Sequence, residues 1–166
     1  TTPVLKQADP TKPFVLTTDA SDFAIGGVLQ QEHDGHLHPV AYYSRKLNSG
    51  EAGKGAYERE MLSIISNLKH FEHYIDGQHI LVQSDQEALK WFWHQKHHDK
   101  QQARWLAILQ AYDLKLQYIQ GRLNLVADAL SRRVDHRDVH LSSISVASTS
   151  LMQQIIAAGQ QDDAYM

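Results

Sequence analysis

Met61, Leu62, Ile64, Ile65, Leu68, Phe71 and Ile75 recur at the three- and four-residue spacings of a helix with one apolar face, predicting a helix over 56–74. The segments on either side follow another period. Residues 14–19 are β-rich and end on Asp19, and 24–31 form a second apolar, glycine-containing strand. His33-Asp34-Gly35-His36 carries the Asp-Gly signal of a hairpin, and 39–44 read as a third strand. Asp76-Gly77 ends the long helix, and 80–85 follow as a short buried strand that again closes on an acid. Residues 87–93 and 101–112 suit two further helices, 114–119 a fifth strand broken by Gly121, and 123–132 a last helix. The expected class is α/β: a five-stranded mixed sheet, three antiparallel strands and then two more, flanked by helices.

The chain's 166 residues suit one hydrophobic core. Residues 1–12 read as an extended connecting segment, 13–133 as the domain, and 134–166, rich in Ser, His, Asp and Gln, as a poorly ordered linker tail with a weak helix at 151–158. The absence of cysteine excludes disulfides, thiolate zinc sites and a cysteine nucleophile, and fits an intracellular setting. Apolar runs such as 80–82 are far too short to span a bilayer, so no membrane partner is expected. The chain opens on Thr1, as expected of a piece of a longer polypeptide. A net charge of −3 argues mildly against nucleic-acid binding, although carboxylates that fill with cations reverse their local charge.

Four acids sit where they can converge: Asp19 and Asp85 at predicted strand ends, Glu60 and Asp128 on predicted helices. Clustered carboxylates repel one another without a counter-ion, and their oxygens are the ligands that magnesium prefers. Two such ions roughly 3.5–4 Å apart can activate a water and stabilise a leaving oxygen in phosphoryl displacement. Each acid alone also has an ordinary reading, as a turn or cap residue after a strand or as a solvated helix acid.

Local context separates these readings. Residues 14–22 (FVLTTDASD) with 25–29 (IGGVL), 39–47 (PVAYYSRKL), 57–64 (YEREMLSI), 103–106 (ARWL) and 126–132 (VADALSR) resemble, in order, the blocks of the ribonuclease H domain of gypsy-type (Metaviridae) LTR-retrotransposon reverse transcriptases. The resemblance runs from about residue 4 to 132 and implies the ribonuclease H fold. It also implies a catalytic, metal-binding set of Asp19, Glu60, Asp85 and Asp128. Glu58 is the rival for the second acid, and Glu60 is preferred because it directly precedes the apolar pair Met61-Leu62. Family members commonly have Thr-Asp-His where this chain has Ser84-Asp85-Gln86, and Tyr118 stands where bacterial and retroviral relatives carry a histidine.

The implied activity is hydrolysis of the RNA strand of an RNA/DNA hybrid during reverse transcription, with two Mg2+ ions, Mn2+ substituting, and 5′-phosphate products. The implied partners are the hybrid and the polymerase domain of the same polyprotein, in a reverse transcriptase that can dimerise; the implied location is the cytoplasm or a virus-like particle. Arg45, Lys46, Arg104 and Tyr118 are candidate substrate contacts, with Lys54 and Lys90 as further cations, against the ordinary reading of exposed basic residues as solvated. No zinc is expected, because no cysteine partners exist and the helical i, i+3 pairs in His70/His73 and His94/His97/His98 lack a convincing third ligand. Trp91, Phe92, Trp93 and Trp105 are expected in the core rather than stacked on bases. The main alternative function is a non-catalytic ribonuclease-H-like connection module; another is a related polynucleotidyl transferase acting on DNA.

Overall fold

The computed structural model describes residues 5–96 and 98–132. The tail expected at 134–166, its helix at 151–158, and His97 lie outside the described residues. Strands β1 (Phe14–Ala20), β2 (Ala24–His33) and β3 (His36–Lys46) form an antiparallel meander. The β2–β3 turn has Asp34 at φ 54 and Gly35 at φ 80. Both lie in the left-handed region demanded by a tight two-residue hairpin, which explains the Asp-Gly sequence there.

After β3 come α1 (Ser49–Ala52), α2 (Ala56–His70) and α3 (Glu72–Ile75), then β4 (His79–Ser84). The sequence reading placed no helix at 49–52; there Asn48 and Glu51 form a reciprocal capping box. The single helix expected over 56–74 is interrupted at Phe71, whose backbone leaves helical geometry (φ −92, ψ 7) while its side chain is buried. A 3-10 helix (Glu87–His94), α4 (Lys100–Gln110), β5 (Asp113–Tyr118), a 3-10 turn (Gly121–Leu123) and α5 (Leu125–Ser131) complete the order.

The strand order is β3-β2-β1-β4-β5, with β4 parallel to both β1 and β5. This is the five-stranded mixed sheet expected. Phe14, Leu16, Leu29, Met61, Ile64, Leu68, Ile80, Val82, Phe92, Trp105 and Leu109 meet in one core. Each such burial stabilises the fold by about 1.5–3 kcal/mol relative to exposure. The expectation of a core role for four aromatics holds for Phe92 and Trp105 but fails for Trp91 and Trp93, which are 65% and 37% exposed. A 3-10 helix repeats every three residues, so Leu89 and Phe92 point inward and the flanking tryptophans point out.

Two adjacent glycines let helices press on both faces of the sheet. A Cβ on Gly27 would lie 1.9 Å from Asn67 Oδ1 of α2, and one on Gly26 would lie 2.8 Å from Ala127 O and Ser131 N of α5. Neighbouring strand residues face opposite ways, so α2 and α5 flank β2 from opposite sides. Before β1, the backbone of the connecting segment is tied down by buried Gln31, which accepts from Asp9 N and donates to Asp9 O and Lys12 O.

Candidate active site

The last residue pair of the β1–β4 ladder is Thr17 with Gln83. Asp19 and Asp85 each lie two residues beyond it, at the carboxyl ends of neighbouring parallel strands, where α/β sheets open a crevice. Asp19 remains within β1, which continues to Ala20, while Asp85 directly follows β4. Glu60 reaches the same place from the first half of α2, where its Oε1 accepts from Ala20 N at 3.1 Å. Carboxylate oxygens of Asp19, Glu60 and Asp85 all lie within 4.8 Å of one another. Glu58, the rival acid, instead accepts from Gly55 N at the helix start.

The cluster is electrostatically strained. Burial pushes the Asp19 carboxyl up to about 6 and the Glu60 carboxyl up to about 9; nearby acids add to both shifts, and the Ser131 hydrogen bond partly offsets the first. Glu60 is 7% exposed, and its Oε2 is buried without a hydrogen-bond partner. An orphaned buried oxygen beside two more carboxylates is a donor set that fits a hard divalent cation.

Asp128 stands beside this group but outside it. It lies on α5 near enough to raise Asp19, yet its Oδ1 accepts from Arg132 Nε. The position of α5 is set by residues that the sequence reading did not single out. Ser131 Oγ donates to Asp19 Oδ2 and also lies 2.9 Å from Asp128 O, Ser21 Oγ donates to Ser131 O, and Asn124 Nδ2 donates to Thr18 O at 3.0 Å. Ser131 follows Asp128 by three residues, one helical turn, which is the signal that could have found it. Asn124 reads as an N-cap, but its side chain spans to β1 instead of capping. On the other face, Ser63 Oγ donates to Asp19 O at 2.9 Å. Gly121 leaves room for the third acid: a Cβ there would lie 3.1 Å from Asp85 Oδ2.

The candidate substrate contacts are dispersed. Arg45 is held by Glu51 through two bonds of 2.8 and 2.9 Å, so its guanidinium is committed to the fold. Lys46 and Arg104 are exposed on β3 and α4. Lys54 Nζ donates to Gln101 at 3.1 Å. Tyr118 pairs in register with Ser84, beside Asp85, and its ring carries Lys90 Nζ 4.2 Å from the centroid. His70 stacks on Tyr43 with centroids 4.0 Å apart, and His73 packs on Tyr74 at 4.3 Å. No helix among the described residues is long and apolar enough to cross a membrane.

Residues 9–112 match the family model of the RNase H-like domain found in reverse transcriptase, a stretch that holds Asp19, Glu60 and Asp85. The retrovirus-related Pol polyprotein from transposon 297 of Drosophila melanogaster is 43% identical over 130 residues, covering 78% of this chain and 12% of that protein. The chain thus spans about an eighth of that relative's length. A foamy viral protease-reverse transcriptase solved in complex with RNA/DNA hybrid superposes with a TM-score of 0.55 at 22% identity, covering 70% of this chain and 16% of that one. RNase H1 from the halophilic archaeon Halobacterium salinarum NRC-1 gives 0.56 at 19% identity, covering 71% of this chain and 93% of that one. These two likenesses establish the ribonuclease H fold, and the sequence match over more than half of the chain establishes the lineage: the chain belongs to the RNase H-like domains of reverse transcriptases, among those of gypsy-type retrotransposon polyproteins.

Proposed function

We propose that this domain is a ribonuclease H that hydrolyses the RNA strand of RNA/DNA hybrids within a longer reverse-transcriptase polyprotein. The observation that carries the reading is the convergence of Asp19, Glu60 and Asp85 within 4.8 Å at the carboxyl end of β1 and β4. An RNA/DNA hybrid is also the substance bound in one structure of the same fold. Asp19, Glu60 and Asp85 would hold two magnesium ions, or manganese in their place, with Asp128 as the fourth acid. Bound there, such cations would supply charge to polarise the phosphodiester and to acidify the attacking water.

The chain's own residues do the positioning. Ser131 fixes one oxygen of Asp19, Ala20 N fixes one oxygen of Glu60, and Asn124 ties the start of α5 to β1. Asp19 and Glu60 are thereby held on a strand and a helix, and Asp85 directly follows β4, which suits a site that must place a phosphodiester accurately. The exposed Tyr118 ring, in register with Ser84, would offer a contact face to the substrate, with Lys90, shared between that ring and Glu87, as a nearby cation.

The test is to incubate the 166-residue chain with labelled RNA/DNA hybrid and with duplex DNA of the same sequence, with Mg2+, with Mn2+ and with EDTA. The reading requires RNA-strand fragments with 5′-phosphate ends, dependent on metal and absent with duplex DNA. Cleavage of duplex DNA at a comparable rate contradicts it and favours a DNA-directed relative of the fold.

A further inference from the structure

Arg132 follows α5, and its Nε donates to Asp128 Oδ1 one helical turn earlier. Both members of this pair are open to solvent, with side chains 57% and 42% exposed. Water and salt screen such a pair, so it exchanges partners at little cost. The backbone beneath it is fixed. Ser131 is fully buried; Ser21 Oγ reaches its carbonyl at 2.5 Å, and Ser44 Oγ reaches the Leu130 carbonyl at 2.8 Å. The turn therefore presents a movable guanidinium on a rigid base, next to a cluster that gathers three of the four acids.

We propose that Arg132 holds Asp128 out of the carboxylate cluster in the free domain and is drawn to a backbone phosphate when nucleic acid binds, releasing Asp128 as the fourth ligand. This rests on the reading of the cluster as the metal site of a nuclease. The pair is a single Nε–Oδ1 contact, and a guanidinium can engage phosphate through two parallel bonds, so the exchange gives up one charge-assisted bond for a phosphate contact of equal or greater strength. A fourth carboxylate turned toward three others repels them until cations enter. The arrangement couples substrate arrival to completion of the acid set.

Two measurements on the 166-residue chain test the proposal, and neither depends on cleavage, so its failure is distinguishable from failure of the nuclease reading. In the first, Mn2+ alone is titrated calorimetrically into the wild type, Arg132→Gln, Asp128→Asn and the double variant. Arg132→Gln is expected to bind Mn2+ about fivefold more tightly, because Asp128 is freed to join the three clustered acids and the pull of Arg132 on Asp19 is relieved. In the Asp128→Asn background only the direct pull of Arg132 on Asp19 is relieved, so the same change shifts affinity by less than about twofold, and the cycle cancels any shared effect on folding. Unchanged or weaker binding in Arg132→Gln, or an equal gain in both backgrounds, overturns the proposal. In the second, hybrid affinity is measured in EDTA as salt is raised. Arg132→Gln is expected to lower the slope of log affinity against log salt by about one, the signature of one lost phosphate contact. An unchanged slope overturns the phosphate half of the exchange.

Discussion

Ser131 Oγ on α5 donates to Asp19 Oδ2 on β1, joining residues 112 apart in the chain, and the same hydroxyl reaches Asp128 O at 2.9 Å. One side chain thus links the first acid to the helix that carries the fourth. A hydrogen bond to an ionised group contributes about 1.5–3 kcal/mol net. Ser131→Ala is expected to lower the unfolding free energy by about that amount at pH 8, where Asp19 is ionised, and to weaken Mn2+ binding. Urea denaturation and calorimetry check the two effects, and a variant matching the wild type in both would refute the link.

The raised carboxyls make a prediction about pH. Asp19 rises from 3.8 to about 6 and Glu60 from 4.5 to about 9, so between these limits the folded domain holds protons that the unfolded chain has released. The unfolding free energy therefore falls as pH climbs through this window. The stabilising contribution is fully present below about pH 4 and lost as pH passes 6 and then 9. Without metal, the melting temperature is expected to drop by roughly 5 °C or more between pH 5 and 9. Saturating Mn2+ should flatten that fall, because metal takes the place of the protons. A metal-free melting curve that rises with pH over this range contradicts the assignment of the two shifts.

The glycine pair under the helices can be tested against a glycine that has room. Gly26→Ala pushes a Cβ into the backbone of α5, and Gly27→Ala pushes one into buried Asn67. Overpacking of this kind costs about 1–3 kcal/mol per site, with Gly26 expected at the upper end because backbone must shift. At Gly53 the nearest atom to a new Cβ is 3.7 Å away, so Gly53→Ala should stay within about 0.5 kcal/mol of wild type. Chemical denaturation of the three variants decides this; equal effects at all three positions would show that the two faces do not close on β2 as described.

Gly121 tests the setting of Asp85. A Cβ there would sit 3.1 Å from Asp85 Oδ2, so the carboxylate must yield by a few tenths of an ångström while the fold stays intact. Small misplacements at a reacting centre are expensive, up to about a hundredfold for 1 Å, and Gly121→Ala is expected to cost about tenfold in hybrid cleavage rate. Its melting temperature should match the wild type. A full-rate Gly121→Ala would mean that the space beside Asp85 is not critical.

Strands, the hairpin at Asp34-Gly35 and the long apolar helix were legible because each has a local signal in period or turn chemistry. The break at Phe71 was not, because its apolar spacing continues unchanged through the kink. The meeting of Asp19, Glu60 and Asp85 was anticipated through the blocks around them, whereas Asp128, expected with them, lies outside that group, and spacing alone did not separate Asp19 from an ordinary turn acid. Asn124 and Arg132 went unnoticed because their roles depend on a contact with β1 or on a choice of ion partner, which no local pattern records, while Ser131 had only its one-turn spacing from Asp128 to mark it. The exposure of Trp91 and Trp93 was missed because 87–94 follows a three-residue repeat where a 3.6-residue helix was expected.

The most direct measurement is cleavage of a labelled RNA/DNA hybrid by the wild type and by Asp85→Asn, with melting temperatures recorded for both and Mn2+ present. The account predicts metal-dependent cutting of the RNA strand that falls by roughly a hundredfold or more in the variant, the scale of losing one preorganised charge-stabilising group, while the variant stays folded. A folded wild type that leaves the hybrid intact would contradict the account and favour a non-catalytic connection module.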